Sequence, residues 1–489
     1  MPTTRTARLI LAVLVLIATA AVPSLLTAAQ DLASDRPALL RLKPADLRAV
    51  LQTLADEGYD IPGVDLENGT VDVIGTAADV EAFAARGIPA TIVRYQDEAQ
   101  PQVDPKYLNP SEVEERLVQT EARYPSIARL FVLGQTEEGR PYYGMKISDN
   151  VGAEEDEPAI FFIGEHHARE VMTPEIAMDI ITMLVKGYGT NAFVTDVVNR
   201  TEVWVMPGHN PDGSNYVFSV DDFWRKNRRN NGGGIFGVDN NRNYPFRWGA
   251  CNGSSGNPAN ETYRGPFPGS EPETAALTAL ALEQRPVFAI SYHSYGELVL
   301  YSYGCLNSRP PDRAAVEDIG AQLAARLPRD SGFGNYTPGY PWQILYAVDG
   351  EMDDWFYSQV GTLAYTIEVN AASQGFQPPY NVWRNPTVQK NRAGWVYLLR
   401  RLDGPSVRGH VTDADTGQPL EATVQIDEIP LTSDEVPRRS EPLYGRYQRV
   451  LVPGTYHLRV SKPGYQQQVI PVTVGSSAVS VEVQLSPAR

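Results

Sequence analysis

The stretch Ala159-Ile160-Phe161-Phe162-Ile163-Gly164-Glu165-His166-His167-Ala168-Arg169-Glu170 passes directly from an unbroken apolar run to a cluster of imidazole and carboxylate groups. A run without polar alternation is too apolar for a half-exposed strand, so it reads as a central strand buried on both faces. Three further segments repeat the arrangement. Val203-Trp204-Val205-Met206 leads to His209-Asn210-Pro211-Asp212, Val287-Phe288-Ala289-Ile290-Ser291 to His293-Ser294, and Leu363-Ala364-Tyr365-Thr366-Ile367 to Glu368. Helical patterns lie between them, and this alternation predicts an α/β fold with a mixed, largely parallel central sheet flanked by helices. In open sheets of this kind ligands sit in the crevice outside the strand C-termini. Topology alone is therefore expected to bring these polar groups together.

This central segment, about residues 106–402, is flanked by two others. Residues 30–105 carry a helical pattern at 44–54, the alternating strand Thr70-Val71-Asp72-Val73-Ile74 and a helix opening at Thr76. They read as a small α+β module ending in an acidic, proline-containing linker, 97–105, suited to processing. Residues 403–489 hold short alternating segments with turn signals and predict a β-sandwich. At the start, Arg5 and Arg8 precede the apolar run 9–22 and the small residues Thr27-Ala28-Ala29. That is the pattern of a secretory signal peptide over 1–29, with an extracellular product as the expectation and an uncleaved anchor extending past Pro23 as the alternative.

The 489 residues include 59 Asp plus Glu against 42 Lys plus Arg, a formal net charge of −17. Such a surface repels a phosphate backbone and argues against a nucleic-acid partner. With 42% hydrophobic residues the chain has enough apolar material for real cores, which excludes wholesale disorder. No segment after residue 29 is apolar and long enough to span a bilayer, and a monomer is the expected state. Cys251 and Cys305 are the two cysteines. In an exported chain they can pair, and two buried thiols are the open alternative.

His167 and Glu170 stand three residues apart at the mouth of the first core strand, a spacing that lets an imidazole and a carboxylate face one cation. Alone, such a pair is usually a solvated helix face. His293, ending another core strand, completes a set of two imidazoles and one carboxylate, for which Zn2+ is the natural ion. A second cluster runs through Phe223-Trp224-Arg225-Lys226-Asn227-Arg228 and Gly237-Val238-Asp239-Asn240-Asn241-Arg242-Asn243. Its guanidinium and amide groups suit a free carboxylate and a developing oxyanion, with a polar surface loop as the alternative. Glu368 reads as a catalytic base, because a carboxylate ending an apolar strand is unfavourable unless partnered or used. His166, His209, His410 and His457 are read as non-ligands.

Together these residues resemble the funnelin family of zinc carboxypeptidases, over about residues 107–401. The resemblance implies one Zn2+ held by His167, Glu170 and His293, with Glu368 as general base and Arg225 as oxyanion stabiliser. It implies that Asn241, Arg242 and the mobile Tyr346 bind the terminal carboxylate of a peptide or protein, and that Arg169 contacts the peptide upstream of the scissile bond. Asp353 occupies a position that is aspartate in B-type enzymes, which release Lys and Arg, and this implies a basic preference. An Asp353 that points away or is offset by a base would leave mixed specificity. Glu351 and Met352 depart from the family's mammalian pattern, in which small residues are usual. The first module occupies the place of a prosegment, and the last resembles the transthyretin-like, carboxypeptidase regulatory-like sandwich. Two rival readings share the fold: an amidase acting on cell-wall peptides, and a non-catalytic secreted peptide-binding or adhesion protein.

Overall fold

The four apolar runs form adjacent strands, β7 (Ala159–Gly164), β8 (Glu202–Met206), β9 (Phe288–Ser294) and β12 (Leu363–Val369), numbered by their place in the chain. The computed structural model describes residues 36–96 and 103–488. The expected signal peptide and most of the linker lie outside the described residues. Nearly every residue of the four strands is buried, which is why their sequences show no alternation.

They occupy the middle of an eight-stranded sheet of order β11-β10-β12-β9-β7-β8-β6-β5. Its outer members are β5 (Ala128–Gln135), β6 (Pro141–Ile147), β10 (Leu298–Tyr301) and β11 (Thr337–Gly339). The pairings β12–β9, β9–β7 and β7–β8 are parallel, whereas β8–β6, β6–β5 and β10–β12 are antiparallel. From β7 the chain steps one way to β8 and the other way to β9 and β12. The strand order thus reverses between β7 and β9, where a crevice must open at the strand C-termini.

The N-terminal residues build an antiparallel sheet, β2-β3-β1-β4, from β1 (Ala38–Leu42), β2 (Asp60–Asp65), β3 (Thr70–Gly75) and β4 (Ala90–Tyr95). Helices Leu47–Asp56 and Ala77–Ala85 cover it, the second opened by a Thr76/Asp79 capping box. Its core does not close on itself. Leu40, Leu54 and Phe83 share one apolar cluster with Leu298, Leu300 and Ile344 of the central body, so hydrophobic burial holds the module against β10.

Helix Tyr380–Arg401 leads into two C-terminal sheets, one built around β13 (Ser406–Asp413) and the other containing Thr423–Ile426, Gly454–Ser461 and Gln468–Val474. Val407, Val411, Val424, Leu458 and Val472 form their common core. No helix among the described residues is long and apolar enough to cross a membrane.

Cys251 and Cys305 are disulfide-bonded, with Cα atoms 5.8 Å apart and a sequence separation of 54. The bridge closes a loop beside Asp349, whose carboxylate accepts from the backbone N–H groups of Cys251 and Gly253 at 2.9 and 3.1 Å. Loop-closure entropy for a ring of this size corresponds to about 4 kcal/mol. Replacing both cysteines by alanine is expected to lower the unfolding free energy by about 2–4 kcal/mol in denaturant titrations, with a larger m-value because the denatured chain loses its cross-link. A loss below about 1 kcal/mol would show that the loop is held by Asp349 and packing instead.

Candidate active site

Chain reversal between β7 and β9 places His167 and Glu170, just beyond β7, opposite His293 on β9. Glu368 is the register partner of His293 on the neighbouring β12. Three strands therefore deliver four reactive side chains to one end of the sheet.

The donor atoms of His167, Glu170 and His293 all lie within 4.8 Å of one another, and all three residues are buried. Glu170 Oε1 is 2.7 Å from His167 Nδ1, Glu170 Oε2 is 3.1 Å from His293 Nδ1, and the two Nδ1 atoms are 3.1 Å apart. The opposite ring nitrogens are anchored. His167 Nε2 donates to Asp239 at 3.2 Å. His293 Nε2 lies 2.9 Å from Ser291 Oγ, Ser291 Oγ lies 3.0 Å from His166 Nδ1, and His166 Nε2 lies 2.9 Å from the Tyr244 hydroxyl oxygen. The Asp239 carboxylate fixes the His167 tautomer whose Nδ1 lone pair faces the centre, and the Ser291–His166–Tyr244 chain holds the His293 ring with its Nδ1 turned the same way. Two inward lone pairs and a buried carboxylate suit Zn2+.

His166 and His209 are buried non-ligands, and burial pushes both below the usual imidazole range. His410 and His457 lie on the C-terminal sheets against Glu482 and Glu428.

Asp239 is the hub of the cationic side. Its carboxylate accepts from Arg225 Nε and Nη2 at 3.1 and 2.9 Å, from the Asn241 backbone N–H at 2.9 Å, and from His167. Burial opposes its charge, but Arg225, His167 and Arg242 hold it well below the ordinary carboxylate range. Arg242 gives Nε to the Gly253 carbonyl and Nη1 to the Asn241 carbonyl at 3.0 and 2.8 Å. Arg225, Asn241, Arg242, Tyr346 and Glu368 all line the cleft of the His–Glu–His group. Burial first, then the Glu170 charge, pushes Glu368 well above the carboxylate range, against Arg225 and Arg242.

Two features were not read from the sequence. The N-terminal module enters the cleft: Ile61, Pro62 and Gly63 form part of its wall. There Asp60 accepts from both terminal nitrogens of Arg169 at 2.5 and 2.7 Å. Gly63 packs so closely that a Cβ would stand 2.4 Å from the Tyr295 carbonyl oxygen. The Tyr295 hydroxyl donates to Asp72 at 2.8 Å. The space left is about 30 Å³, enough for water and not for a peptide.

The second feature is Glu351, which lines the cleft with Val348 and Thr366, whereas Asp353 does not. Asp353 sits on the short helix Met352–Trp355 beside Asp354. Burial, the neighbouring acids and little compensation raise Glu351 well above its usual range, Asp353 to about 8 and Asp354 to about 7. Glu351 Oε1 and Asp353 Oδ1 are buried without a hydrogen-bond partner.

A buried His–Glu–His group at the switch point of an α/β sheet, beside a carboxylate and two guanidinium groups, defines a metal-dependent hydrolase. The sequence pattern of the zinc carboxypeptidases matches residues 113–393, and the chain belongs to that family. Mouse carboxypeptidase D is 31% identical over 392 residues, 74% of this chain and 26% of that protein, so the chain spans about a quarter of its length. A zinc carboxypeptidase of Saccharothrix mutabilis subsp. capreolus is 32% identical over 306 residues, 60% of this chain and 69% of that one. Crystal structures of thrombin activatable fibrinolysis inhibitor and of carboxypeptidase A from Helicoverpa armigera share the fold. They have TM-scores of 0.62 and 0.64 at 22% identity, each covering 75% of this chain and 98% and 96% of theirs.

Asp239→Asn is expected to weaken zinc binding by about 10–100-fold in competition with a chromophoric chelator, because it loosens His167. His293→Ala should abolish stoichiometric zinc in metal analysis of the folded protein. Retention of tight zinc by His293→Ala would overturn the ligand assignment.

Proposed function

We propose that this chain is a secreted, monomeric zinc metallocarboxypeptidase that removes the last residue of peptides and proteins, is made in a latent form, and favours C-terminal Lys or Arg. The observation that carries the reading is the convergence of His167, Glu170 and His293 on one point, beside Glu368 and in the same cleft as Arg242. When bound, Zn2+ supplies a Lewis acid for the scissile carbonyl and for a water molecule. Glu368 takes the proton of that water at its carboxylate and hands it to the departing amine. Arg225, held by Asp239, stabilises the charge that develops on the carbonyl oxygen. Arg242, Asn241 and Tyr346 orient the substrate by its free carboxylate, which an internal peptide bond does not carry. That requirement favours a carboxypeptidase over an endopeptidase or a wall-peptide amidase, and the presence of His167, Glu170, His293, Glu368 and Arg225 together favours an enzyme over a peptide-binding protein.

Latency is supported by the module's entry into the cleft. Asp60 holds Arg169, the residue proposed to meet the upstream peptide, and Ile61–Gly63 fills the approach. Cleavage in the linker around 97–105 would release both. The C-terminal sheets fit a transthyretin-like module with a structural role.

The basic preference is supported by three buried carboxyl groups, Glu351 on the cleft wall and Asp353 and Asp354 on the helical turn that follows it. Glu351 is the one in position to meet a substrate cation.

The test is mass spectrometry of matched peptides ending in Arg, Lys, Phe or Leu, before and after limited proteolysis of the full chain. Single-residue release that appears on proteolysis, stops with a chelator and returns with zinc is the expected result. Glu368→Gln should lower kcat by about 10³-fold or more while zinc is retained. No release from zinc-loaded, processed protein would move the binding-protein reading to the front.

Glu351→Gln should lower kcat/KM for C-terminal Arg by about 10–100-fold and leave Leu nearly unchanged. If Asp353→Asn shows that split and Glu351→Gln does not, Asp353 is the contact. The wild-type Arg-to-Leu ratio should climb as pH rises through about 7 to about 8, where Asp354 and Asp353, behind Glu351, lose their protons and the potential at that end of the cleft becomes more negative. A ratio independent of pH would separate these acids from specificity.

A further inference from the structure

A second cavity, of about 70 Å³, lies between the central body and the C-terminal sheets and plays no part in the peptidase reading. Arg285 lines it from the body, and Arg438, Arg439, Arg446 and Arg449 line it from the C-terminal side. Two acids, Asp312 and Glu441, line it with these five arginines, and two more stand behind the wall, Glu421 at 2.9 Å from Arg285 and 4.0 Å from Arg439, and Asp156 at 3.4 Å from Arg446, which leaves Arg438 without a carboxylate partner among the described residues. An excess of positive charge is out of keeping with a chain of net charge −17. Like charges crowded out of water repel unless an anion neutralises them.

The partners within the chain leave donors over. Arg449 is buried, gives Nη1 to the Val424 carbonyl at 3.0 Å, and has Asp312 Oδ2 at 3.4 Å. Arg438 is 6% exposed, lies over the Tyr357 ring at 4.9 Å, and gives Nη1 to the Ser358 carbonyl at 3.0 Å. Its Nη2 is buried with no acceptor, and its guanidinium rests against Gly361 on the cavity wall. Arg446 Nε is likewise buried without a hydrogen bond and reaches only Asp156, at 3.4 Å. Burial, with the Arg438 charge adding to it, depresses Arg449 against the pull of Asp312.

We propose that this cavity binds a small, doubly charged oxyanion, phosphate or sulfate, held by Arg438, Arg446 and Arg449 and bridging the body to the C-terminal sheets. Guanidinium forks match the edges of a tetrahedral oxyanion, and Asp312 and Asp156, with the neighbouring carbonyls, leave Arg438 Nη2 and Arg446 Nε without a hydrogen bond. The volume admits several waters or one such ion, and excludes a nucleotide. Because both parts of the chain line the site, the anion stabilises their mutual arrangement by mass action.

The full chain is titrated by calorimetry with sodium phosphate and, separately, sodium sulfate. Sodium chloride holds the ionic strength constant, sodium acetate serves as the carboxylate control, and thermal unfolding is followed in parallel. The expected result is saturable one-to-one binding with a rise in Tm, absent for chloride and acetate. Mutual competition between phosphate and sulfate would show one shared site, and their relative affinities identify the better ligand. Arg446→Gln should weaken binding about tenfold or more, with hydrolysis of a small peptide unchanged. Asp312→Asn should tighten it, because the competing carboxylate on Arg449 is lost. Arg438→Gln, which removes the unpartnered Nη2, should weaken binding at least as much, and should it fail to fold, the two opposite shifts of Arg446→Gln and Asp312→Asn decide the matter. Absence of saturable heat, a Tm rise matched by chloride, or affinities unmoved by both Arg446→Gln and Asp312→Asn would overturn the proposal.

Discussion

Reversal of strand order between β7 and β9 is the constraint on which the rest of the molecule depends. Two parallel strands whose connections leave in opposite directions cannot be covered by the same loop, so a gap opens at their C-terminal ends. His167 and Glu170 stand on one side of that gap and His293 on the other. The pairing of β9 with β12 then sets Glu368 beside His293 by register alone. Moving any of these strands by one residue would turn its side chain to the opposite face. The apolar runs that fix the register are thus also what fixes the site.

Asp239 extends this constraint from the histidines to the guanidinium groups. A buried carboxylate survives only where its partners repay its lost hydration, and Asp239 meets four donors, including His167 and Arg225. The same contacts orient an imidazole and a guanidinium toward one cleft. Loss of Asp239 would disturb both, so its effects should not separate cleanly into metal binding and substrate binding.

The fold was legible because its central strands are long, unbroken and apolar, and because Thr76 and Asp79 announce a helix start in purely local terms. The His–Glu–His group was legible because three rare, chemically capable residues follow those strands. Asp239 stood within a quoted cluster without a role; an acid capping the turn Asn240–Arg242 was its only local signal. Asp60 was not legible at all, since its partner Arg169 lies 109 residues away and only docking of a separate sheet joins them. Glu351 was noticed as a departure from pattern, but whether it or Asp353 faces the cleft depends on the rotation of a single helical turn. Period and composition do not fix that rotation. The disulfide belongs to the same class, since pairing and burial of Cys251 and Cys305 were equally compatible with the sequence.

The residues that fill the cleft and the residues that charge it are matched in one respect. Ile61, Pro62 and Gly63 bring no cation, so nothing in the N-terminal module offsets Glu351, Asp353 and Asp354. Burial then favours their neutral, protonated forms, which need no counter-ion. A substrate ammonium or guanidinium would reverse that preference, since pairing favours the ionised carboxylate by more as the surroundings become drier. On this reading the negative end of the cleft is silent while the module is docked and is created by the substrate that uses it. The arrangement spares the protein with its module docked a cluster of buried charges, and it makes the acids respond to a cation rather than stand permanently ionised against one another.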